Sequence, residues 1–297
     1  MKQLINDITA QLLRCYPEDE ARSLALWIME EETGLSRSQL LCGHKGTTNF
    51  SHMQTIVDRL LHFEPIQYIF GHTLWCGLDL KVTPATLIPR PETAELVERI
   101  NLKSQILNLK SQIHVLDVGT GSGCIAIALK KAHHEWQVTG IDISTEAIEV
   151  AKENAKRNGV EVEFKIADIF DSNEENLQSS IFNLQYDIVV SNPPYICESE
   201  KASMRPNVLN YEPAAALFVP NNDPLRFYRR IAELQTRRSP NSKQGGAQTP
   251  KPLFLFFEIN EAYPQELSAM LGELGYTDIR LMNDIYGKPR IIEARMA

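Results

Sequence analysis

The segment Ile113-His114-Val115-Leu116-Asp117-Val118-Gly119-Thr120-Gly121-Ser122-Gly123 decides the fold of this 297-residue chain. It passes from an apolar run, typical of a buried parallel strand, into a glycine-rich turn. An apolar helical pattern then begins at Cys124. A strand, a glycine turn and a helix in this order predict a parallel α/β sheet, with the turn at the carboxyl end of its first strand.

Strands and helices continue to alternate downstream of this turn. Ser144 is predicted to cap the helix that follows the second strand, and Gly159 to end it. Further strands are predicted at 138–141 (ending at Asp142), 162–166 (ending at Asp168), 186–190 and 253–257, with a hairpin of 277–282 and 290–295. The alternation predicts a mostly parallel sheet with helices on its faces.

The chain upstream has a different character. Residues 1–72 carry apolar side chains at helical spacing, which predicts a small helical bundle. Residues 73–91 combine a strand pattern with a proline-rich linker, so the α/β domain spans 92–297. The linker ends in Leu87-Ile88-Pro89-Arg90-Pro91-Glu92-Thr93, where Pro91 suits the first turn of a helix. A short repeat follows, in which 101–106 recurs as 108–113, and is predicted to extend that helix.

Composition excludes several classes of function. The net charge of −8 argues against a large sequence-independent grip on nucleic-acid phosphates. The N-terminus has no continuous apolar block, which predicts neither a signal peptide nor a membrane span. Segment 236–252 has four basic and no acidic residues, which favours a surface loop or a nucleic-acid or ribosome contact. The cysteines lack ligand or disulfide spacing, which predicts a reducing cytoplasm and no metal site: Cys15, Cys42, Cys76, Cys124 and Cys197.

The glycine turn predicts a cofactor site. The spacing lacks the last step of the dinucleotide fingerprint, and Asp142, 19 positions after Gly123, can accept ribose hydroxyls. An adenosine with an amino-acid tail, S-adenosylmethionine, fits this pattern best. Asp168 could accept the adenine amino group, with Ile169 as an apolar neighbour, although each acid could simply end a solvated strand. The predicted site is Gly119, Thr120, Gly121, Ser122, Gly123, Asp142, Asp168, Ile169 and Asn192.

A second motif, Ser191-Asn192-Pro193-Pro194-Tyr195, ends the fourth predicted strand. Two prolines fix φ and remove backbone donors, so the segment presents acceptors on a rigid ledge. The Asn192 side-chain oxygen and the Pro193 carbonyl could hold a planar –NH2 group beside the Tyr195 ring. The predicted catalytic residues are therefore Asn192, Pro193 and Tyr195, with Pro194 also in contact with the substrate. A plain Pro-Pro turn is the alternative interpretation.

Topology brings the two predicted sites together. Ligands of open α/β sheets bind beyond the carboxyl ends of the strands, and both motifs end strands there. A methyl donor and an –NH2 clamp would then face each other across one crevice, which predicts an amino methyltransferase. The residues leave open whether the –NH2 group belongs to a protein amide or to adenine or guanine in a nucleic acid. A cofactor-binding adaptor without catalysis is a third possibility.

Several segments together resemble the release factor glutamine methyltransferases, the HemK/PrmC family. They are Pro65-Ile66-Gln67-Tyr68-Ile69-Phe70-Gly71, the linker 87–93, the glycine turn, 191–196, and Tyr211-Glu212-Pro213 with Ala216-Leu217. The resemblance implies a class I methyltransferase fold of seven strands, the last antiparallel, preceded by the helical domain. It also implies that S-adenosylmethionine methylates the amide nitrogen of the Gly-Gly-Gln glutamine in peptide chain release factors.

The helical bundle is either a scaffold or a docking surface, and with a release factor as substrate we expect it to dock that protein. We also expect no sequence-specific binding to nucleic acid, and a monomer. The chain departs from the family pattern in three places. Asp168-Ile169-Phe170 replaces Asp-Trp-Phe, and Glu258-Ile259-Asn260 replaces Glu-Ile-Gly. Segment 236–252 replaces a short glycine turn. None of these changes falls on the predicted –NH2 clamp.

Overall fold

A computed structural model describes residues 1–106, 113–171, 186–236 and 253–296. The chain divides into two compact units. The first comprises Met1–Gly71 and Arg205–Tyr211, and the second comprises His72–Met204 and Glu212–Ala297. The chain therefore leaves the second unit at Arg205 and returns to it at Glu212, an excursion that the sequence did not indicate.

The first unit is helical, as its apolar spacing predicts. Its helices are α1 (Lys2–Leu12), α2 (Glu18–Thr33), α3 (Arg37–Leu41), α4 (Phe50–Leu61) and α5 (Ile66–Phe70). Buried aliphatic side chains of α1, α2 and α4 form its core, including Ile8, Ile28 and Ile56. The segment 205–211 attaches to it where Tyr211 donates a hydrogen bond to the His62 carbonyl, at 2.9 Å.

The second unit is built on a seven-stranded sheet in the order β10-β11-β9-β6-β3-β4-β5. The strands are β3 (His114–Val118), β4 (Gln137–Asp142), β5 (Glu163–Ile166), β6 (Ile188–Ser191), β9 (Leu253–Glu258), β10 (Thr277–Asn283) and β11 (Pro289–Met296). The pairings among β9, β6, β3, β4 and β5 are parallel, whereas β11 is antiparallel to both of its neighbours. The predicted mostly parallel class I methyltransferase sheet and its C-terminal hairpin are confirmed.

Helices cover both faces of the sheet. They are α6 (Pro91–Ile106), α7 (Cys124–Ala132), α8 (Thr145–Arg157), α10 (Arg226–Thr236) and α11 (Pro264–Glu273), while the short α9 (Pro206–Leu209) belongs to the first unit. Successive strand residues point to opposite faces, so Val115 packs with the core of α6, α7 and α8. Leu116 packs with that of α10 and α11. The long apolar strands are therefore buried on both sides.

Two local predictions need correction. The strand expected to reach Asp168 ends at Ile166, because β5 is the edge strand and the chain turns away once its pairing with β4 stops. The strand pattern expected within 73–91 forms a hairpin of two strands, β1 (His72–Trp75) and β2 (Leu78–Lys81). Two short strands, β7 (Ile196–Cys197) and β8 (Phe218–Val219), pair separately. Residues 108–112 of the second copy of the repeat and segment 237–252 lie outside the described residues.

No helix in the part of the chain that the structure describes is both long and apolar enough to cross a membrane.

Candidate active site

The two predicted sites meet at one edge of the sheet. Strands β3, β6 and β9 are neighbours, and Val118 pairs with Ser191, which pairs with Phe257. The residues that follow this row are Gly119, Asn192 and Glu258, which therefore stand side by side at the carboxyl end of the sheet. The sheet register thus brings the glycine turn next to the Asn-Pro-Pro-Tyr ledge.

The glycine turn requires left-handed backbone at three positions. The φ angles of Gly119, Gly121 and Gly123 are 70°, 55° and 80°, a region that favours glycine. Counting only atoms of the described residues, a Cβ atom on Gly119 would have nothing within 4 Å, and one on Gly121 would reach only the Gly119 carbonyl at 4.0 Å. These two glycines therefore leave open space beside the turn. A Cβ on Gly123 would instead lie 3.1 Å from Ala151 and Phe164, so this glycine serves packing.

Asp142 is held against the turn. Its carboxylate accepts hydrogen bonds from the Gly121 N–H at 2.9 Å and the Ser144 N–H at 3.0 Å. Each oxygen keeps lone-pair capacity for a further donor such as a ribose hydroxyl. Two exposed apolar side chains flank it, since Ile143 follows it directly and Ile166 is its partner in the sheet register. The sequence analysis missed both; an apolar residue directly after a strand-ending acid is the signal that could have found Ile143.

In the segment after β5, Ile169 and Phe170 are more buried than the sequence suggests. Asp168 is exposed, and its Oδ1 accepts a hydrogen bond from the Phe170 N–H at 2.8 Å. Ile169 is buried in the core shared with α10, whereas the half-buried Phe170 ring meets Phe227 edge-on at 5.1 Å. The predicted contacts of Asp168 and Ile169 with adenine stay predictions.

Asp117 is a site residue that the sequence analysis quoted but did not single out. It is fully buried, and its Oδ2 accepts hydrogen bonds from the Thr120 hydroxyl at 2.6 Å and the Ala126 N–H at 3.2 Å. Its Oδ1 has no partner among the described residues. Burial raises the pKa of this carboxyl group to about 7. An acid at the second-last position of a strand that leads into a glycine turn is the signal that could have found it.

The Asn192 side chain is held by hydrogen bonds that lead to Thr93 and Glu258. Its Nδ2 donates a hydrogen bond to the Thr93 hydroxyl at 3.2 Å, and that hydroxyl donates to Glu258 Oε2 at 2.6 Å. The Tyr195 hydroxyl donates to Glu258 Oε1 at 3.1 Å. Within the described residues, neither Asn192 Oδ1 nor the Pro193 carbonyl has a hydrogen-bond partner. That these two oxygens accept hydrogen bonds from a substrate stays a prediction.

Thr93 and Glu258 are the residues of this network that sequence reasoning did not place in the site. Their side chains are almost completely buried, at 2% and 1% exposure. Burial raises the pKa of the Glu258 carboxyl group, and burial likewise raises the pKa of the Tyr195 hydroxyl well above its ordinary value. The signal that could have found Glu258 is that an acid directly follows the predicted strand 253–257; that this strand lies beside the one leading to Asn192 is known only from the structure.

The far end of the ledge is clamped by a residue that departs from the family pattern. Asn260 Nδ2 donates to the Tyr195 carbonyl at 2.9 Å and to Glu200 Oε1 at 3.3 Å. Glu200 Oε1 also accepts from the Cys197 N–H at 2.7 Å. The side chain at position 260 therefore fixes the backbone on leaving the ledge, where the family's glycine could not.

Two further motifs of the resemblance, the linker 87–93 and Glu212, contact each other within the second unit. Glu212, 1% exposed at its side chain, pairs with the Arg90 guanidinium and accepts a hydrogen bond from the Ile88 N–H at 3.2 Å. Trp75 Nε1 donates to the Arg90 carbonyl at 2.8 Å. These contacts hold the linker 87–93, and with it Thr93, against the α/β unit.

Taken together, the donor set fits S-adenosylmethionine. The glycines leave room for close approach, Asp142 offers carboxylate oxygens, and Asp117 Oδ1 is a buried acceptor without a partner in the described part of the chain. Residues 109–221 match the family described as a methyltransferase domain, and residues 3–71 match the PrmC N-terminal domain. Fold, site and matches define a class I S-adenosylmethionine-dependent methyltransferase.

Similarity to known proteins is more specific. The chain is 40% identical over 297 residues to the release factor glutamine methyltransferase of Bacteroides thetaiotaomicron, covering 99% of each chain. It is 45% identical over 241 residues to that of Streptococcus pneumoniae, covering 81% of this chain and 78% of the relative. The chain belongs to the release factor glutamine methyltransferase family, which confirms the resemblance.

One solved structure supports the fold alone. The hMettl16 catalytic domain in complex with MAT2A 3′UTR hairpin 1 superposes with a TM-score of 0.56 at 15% identity, covering 98% of this chain and 91% of that chain.

Proposed function

We propose that this protein methylates the side-chain amide nitrogen of the glutamine in the Gly-Gly-Gln motif of peptide chain release factors, using S-adenosylmethionine. The observation that carries the proposal is the pair of acceptors, Asn192 Oδ1 and the Pro193 carbonyl, which have no internal partners in the described structure. They follow the strand next to the one that leads into the glycine turn. Membership of the family supports the choice of a protein amide over a nucleobase.

The cofactor would be held by residues at the carboxyl edge of the sheet. Gly119, Thr120, Gly121, Ser122 and Gly123 would surround its amino-acid tail, and Asp142 would accept the ribose hydroxyls. Asp168, Ile169 and Asn192 would complete the site at the adenine and sulfonium ends. When bound, S-adenosylmethionine supplies a methyl group attached to a positively charged sulfur.

The protein's contribution to the reaction is orientation and electrostatics. An amide nitrogen is a poor nucleophile because its lone pair is delocalised into the carbonyl group. Asn192 Oδ1 and the Pro193 carbonyl would each accept a hydrogen bond from one of the two N–H groups and so fix the orientation of the substrate nitrogen. The same two oxygens would stabilise the positive charge that develops there. Tyr195 and Pro194 would pack against the plane of the amide.

The release factor is the proposed partner, and the helical unit is the proposed docking surface. The acidic net charge of −8 gives the chain no general attraction to nucleic-acid phosphates. We therefore propose that recognition is through protein–protein contacts, without sequence-specific binding to DNA or RNA.

Transfer of labelled methyl groups tests the proposal. The protein is incubated with methyl-labelled S-adenosylmethionine and, in parallel, with purified release factor, release factor whose Gly-Gly-Gln glutamine is replaced by glutamate, total RNA and genomic DNA. We expect label only on the unchanged release factor. Label on nucleic acid would instead support the amino methyltransferase alternative, and no transfer to any of the four would contradict catalysis.

A further inference from the structure

We propose that Thr93 and Glu258 are positioning residues that decide which end of the Asn192 amide faces the substrate. This inference rests on the proposed function, because it concerns the same –NH2 clamp. Thr93 is the third residue of α6, Glu258 is the last residue of β9, and Asn192 follows β6. Three separate elements thus meet at one buried chain of hydrogen bonds.

The donor and acceptor roles in these hydrogen bonds follow from counting the hydrogen atoms available. A threonine hydroxyl has one proton to donate. The 2.6 Å contact with Glu258 Oε2 uses that proton, so the Thr93 oxygen can only accept from Asn192. An accepting oxygen requires the amide nitrogen of Asn192 on that side. The side-chain oxygen of Asn192 must then point the other way, toward the open side of the ledge.

Glu258 is arranged as the end of this chain. Its two carboxylate oxygens accept hydrogen bonds from the hydroxyl groups of different residues, Thr93 at Oε2 and Tyr195 at Oε1. An ionised carboxylate is an acceptor only, so two hydroxyl donors match it. Because the carboxylate is buried, water cannot replace a lost donor, and losing either hydrogen bond would cost free energy of folding.

The orientation matters for the chemistry because a substrate –NH2 group can only donate. A reversed Asn192 amide would place its own –NH2 group against that of the substrate, donor against donor, and the clamp would lose one of its two acceptors. The linked hydrogen bonds also polarise the Asn192 amide. When its Nδ2 group donates a hydrogen bond to Thr93, its Oδ1 atom becomes a stronger acceptor. This set of hydrogen bonds among Asn192, Thr93 and Glu258, the relay, therefore strengthens the clamp and also fixes the orientation of the Asn192 amide.

A purely structural role for Thr93 makes a different prediction. Thr93 joins α6 to the sheet, so its loss could reduce stability without touching the chemistry. Thr93→Val keeps the shape and removes the hydroxyl, Thr93→Ser keeps the hydroxyl and removes the methyl group, and Thr277→Val is a matched control on an exposed strand residue. These variants separate hydroxyl chemistry from packing.

The experiment measures kcat and KM for the release factor, S-adenosylmethionine affinity by calorimetry, and Tm for each full-length variant. For Thr93→Val we expect kcat to fall about ten- to a hundredfold, the loss typical of a misplaced catalytic group, with cofactor affinity within a few-fold of the wild type. Thr93→Ser should restore most of kcat, and Glu258→Gln should lower it, because a glutamine side chain can donate as well as accept.

Three outcomes would overturn the inference: wild-type kcat in Thr93→Val with only a lower Tm, an equal loss of kcat in Thr93→Ser, or wild-type kcat in Glu258→Gln. Asn192→Ala is measured in parallel to separate this failure from failure of the proposed function. If Asn192→Ala keeps full turnover, the clamp itself is wrong. If Asn192→Ala loses turnover and Thr93→Val does not, only the relay is wrong.

Discussion

The side-chain nitrogen of Asn192 lies 3.2 Å from the hydroxyl oxygen of Thr93, although the two residues are 99 positions apart in the chain. The contact joins the Pro-Arg-Pro-Glu-Thr linker to the Asn-Pro-Pro-Tyr ledge. Under the positioning proposal, the first motif supplies the group that orients the second. The pair is accordingly more informative than either motif alone.

Removing the Asn192 amide should abolish most turnover. Asn192→Ala deletes one of two acceptors for the substrate nitrogen, and by comparison with the loss of one oxyanion-hole donor the cost is about 3 kcal/mol in the barrier, or roughly a hundredfold in kcat. Cofactor affinity should stay within a few-fold. Methyl-transfer kinetics and isothermal titration check both values, with the exposed Asn283→Ala as control. Unchanged turnover would refute the clamp.

Two alanine substitutions in the glycine turn should differ in which property they impair most, cofactor affinity or thermal stability. Both positions have positive φ, so each costs about 1–2 kcal/mol of backbone strain. Gly121→Ala would place its methyl group in the open space beside the turn, so we expect loss of cofactor affinity with a modest fall in Tm. In Gly123→Ala the added methyl group would press on Ile127, Ala151 and Phe164, so we expect the larger fall in Tm for this variant. Calorimetric titration and thermal unfolding of both variants provide the comparison, and equal changes in both properties would count against it.

Asp117 should make stability depend on pH. Burial raises its folded-state pKa to about 7, far above the value near 4 of an unfolded chain. Between these values the folded state holds a proton that the unfolded state has lost, so this group lowers the free energy of unfolding as pH rises from 4 to 7. The slope is at most about 1.4 kcal/mol per pH unit.

Asp117→Asn removes the titration and keeps an oxygen for the Thr120 and Ala126 donors. Its stability relative to the wild type should therefore rise from pH 5 to pH 7 and level off above pH 7. Urea unfolding of both proteins at several pH values measures this difference. A constant difference across the range would show that Asp117 does not titrate there.

The Arg90–Glu212 pair should behave as a coupled unit. Glu212 is buried and Arg90 is about one-third exposed, at 32% of its side chain. Arg90→Ala leaves a buried carboxylate without its cation, and with some screening by solvent we expect a loss of up to about 3 kcal/mol in stability. Adding Glu212→Gln should recover part of that loss, since a glutamine oxygen can still accept from the Ile88 N–H. A double-mutant cycle by chemical denaturation gives the coupling, and strictly additive losses would speak against it.

Much of the α/β fold could be predicted because its signals are local. The glycine turn after residues 113–118, the helix cap at Ser144 and the hairpin near the C-terminus each depend on residues close in sequence, and the structure has all three. The excursion of Arg205–Tyr211 into the helical unit depends on long-range contacts, such as that between Tyr211 and His62, which no local pattern encodes.

The candidate site shows the same division. Asn192, Pro193 and the glycines are visible because prolines and glycines restrict the backbone in known ways. Thr93 and Glu258 are ordinary residues whose importance comes from the sheet register, which places Glu258 one strand away from Asn192. Asn260 was noted only as a departure from the family pattern, and its contact with the Tyr195 carbonyl emerges once the chain is folded.

A crystal structure with S-adenosylhomocysteine and a peptide containing Gly-Gly-Gln would test the central claim most directly. We expect the glutamine amide nitrogen within hydrogen-bonding distance, about 2.7–3.2 Å, of both Asn192 Oδ1 and the Pro193 carbonyl oxygen, and facing the cofactor sulfur. A glutamine side chain bound elsewhere, or an Asn192 amide with its nitrogen toward the peptide, would contradict the account.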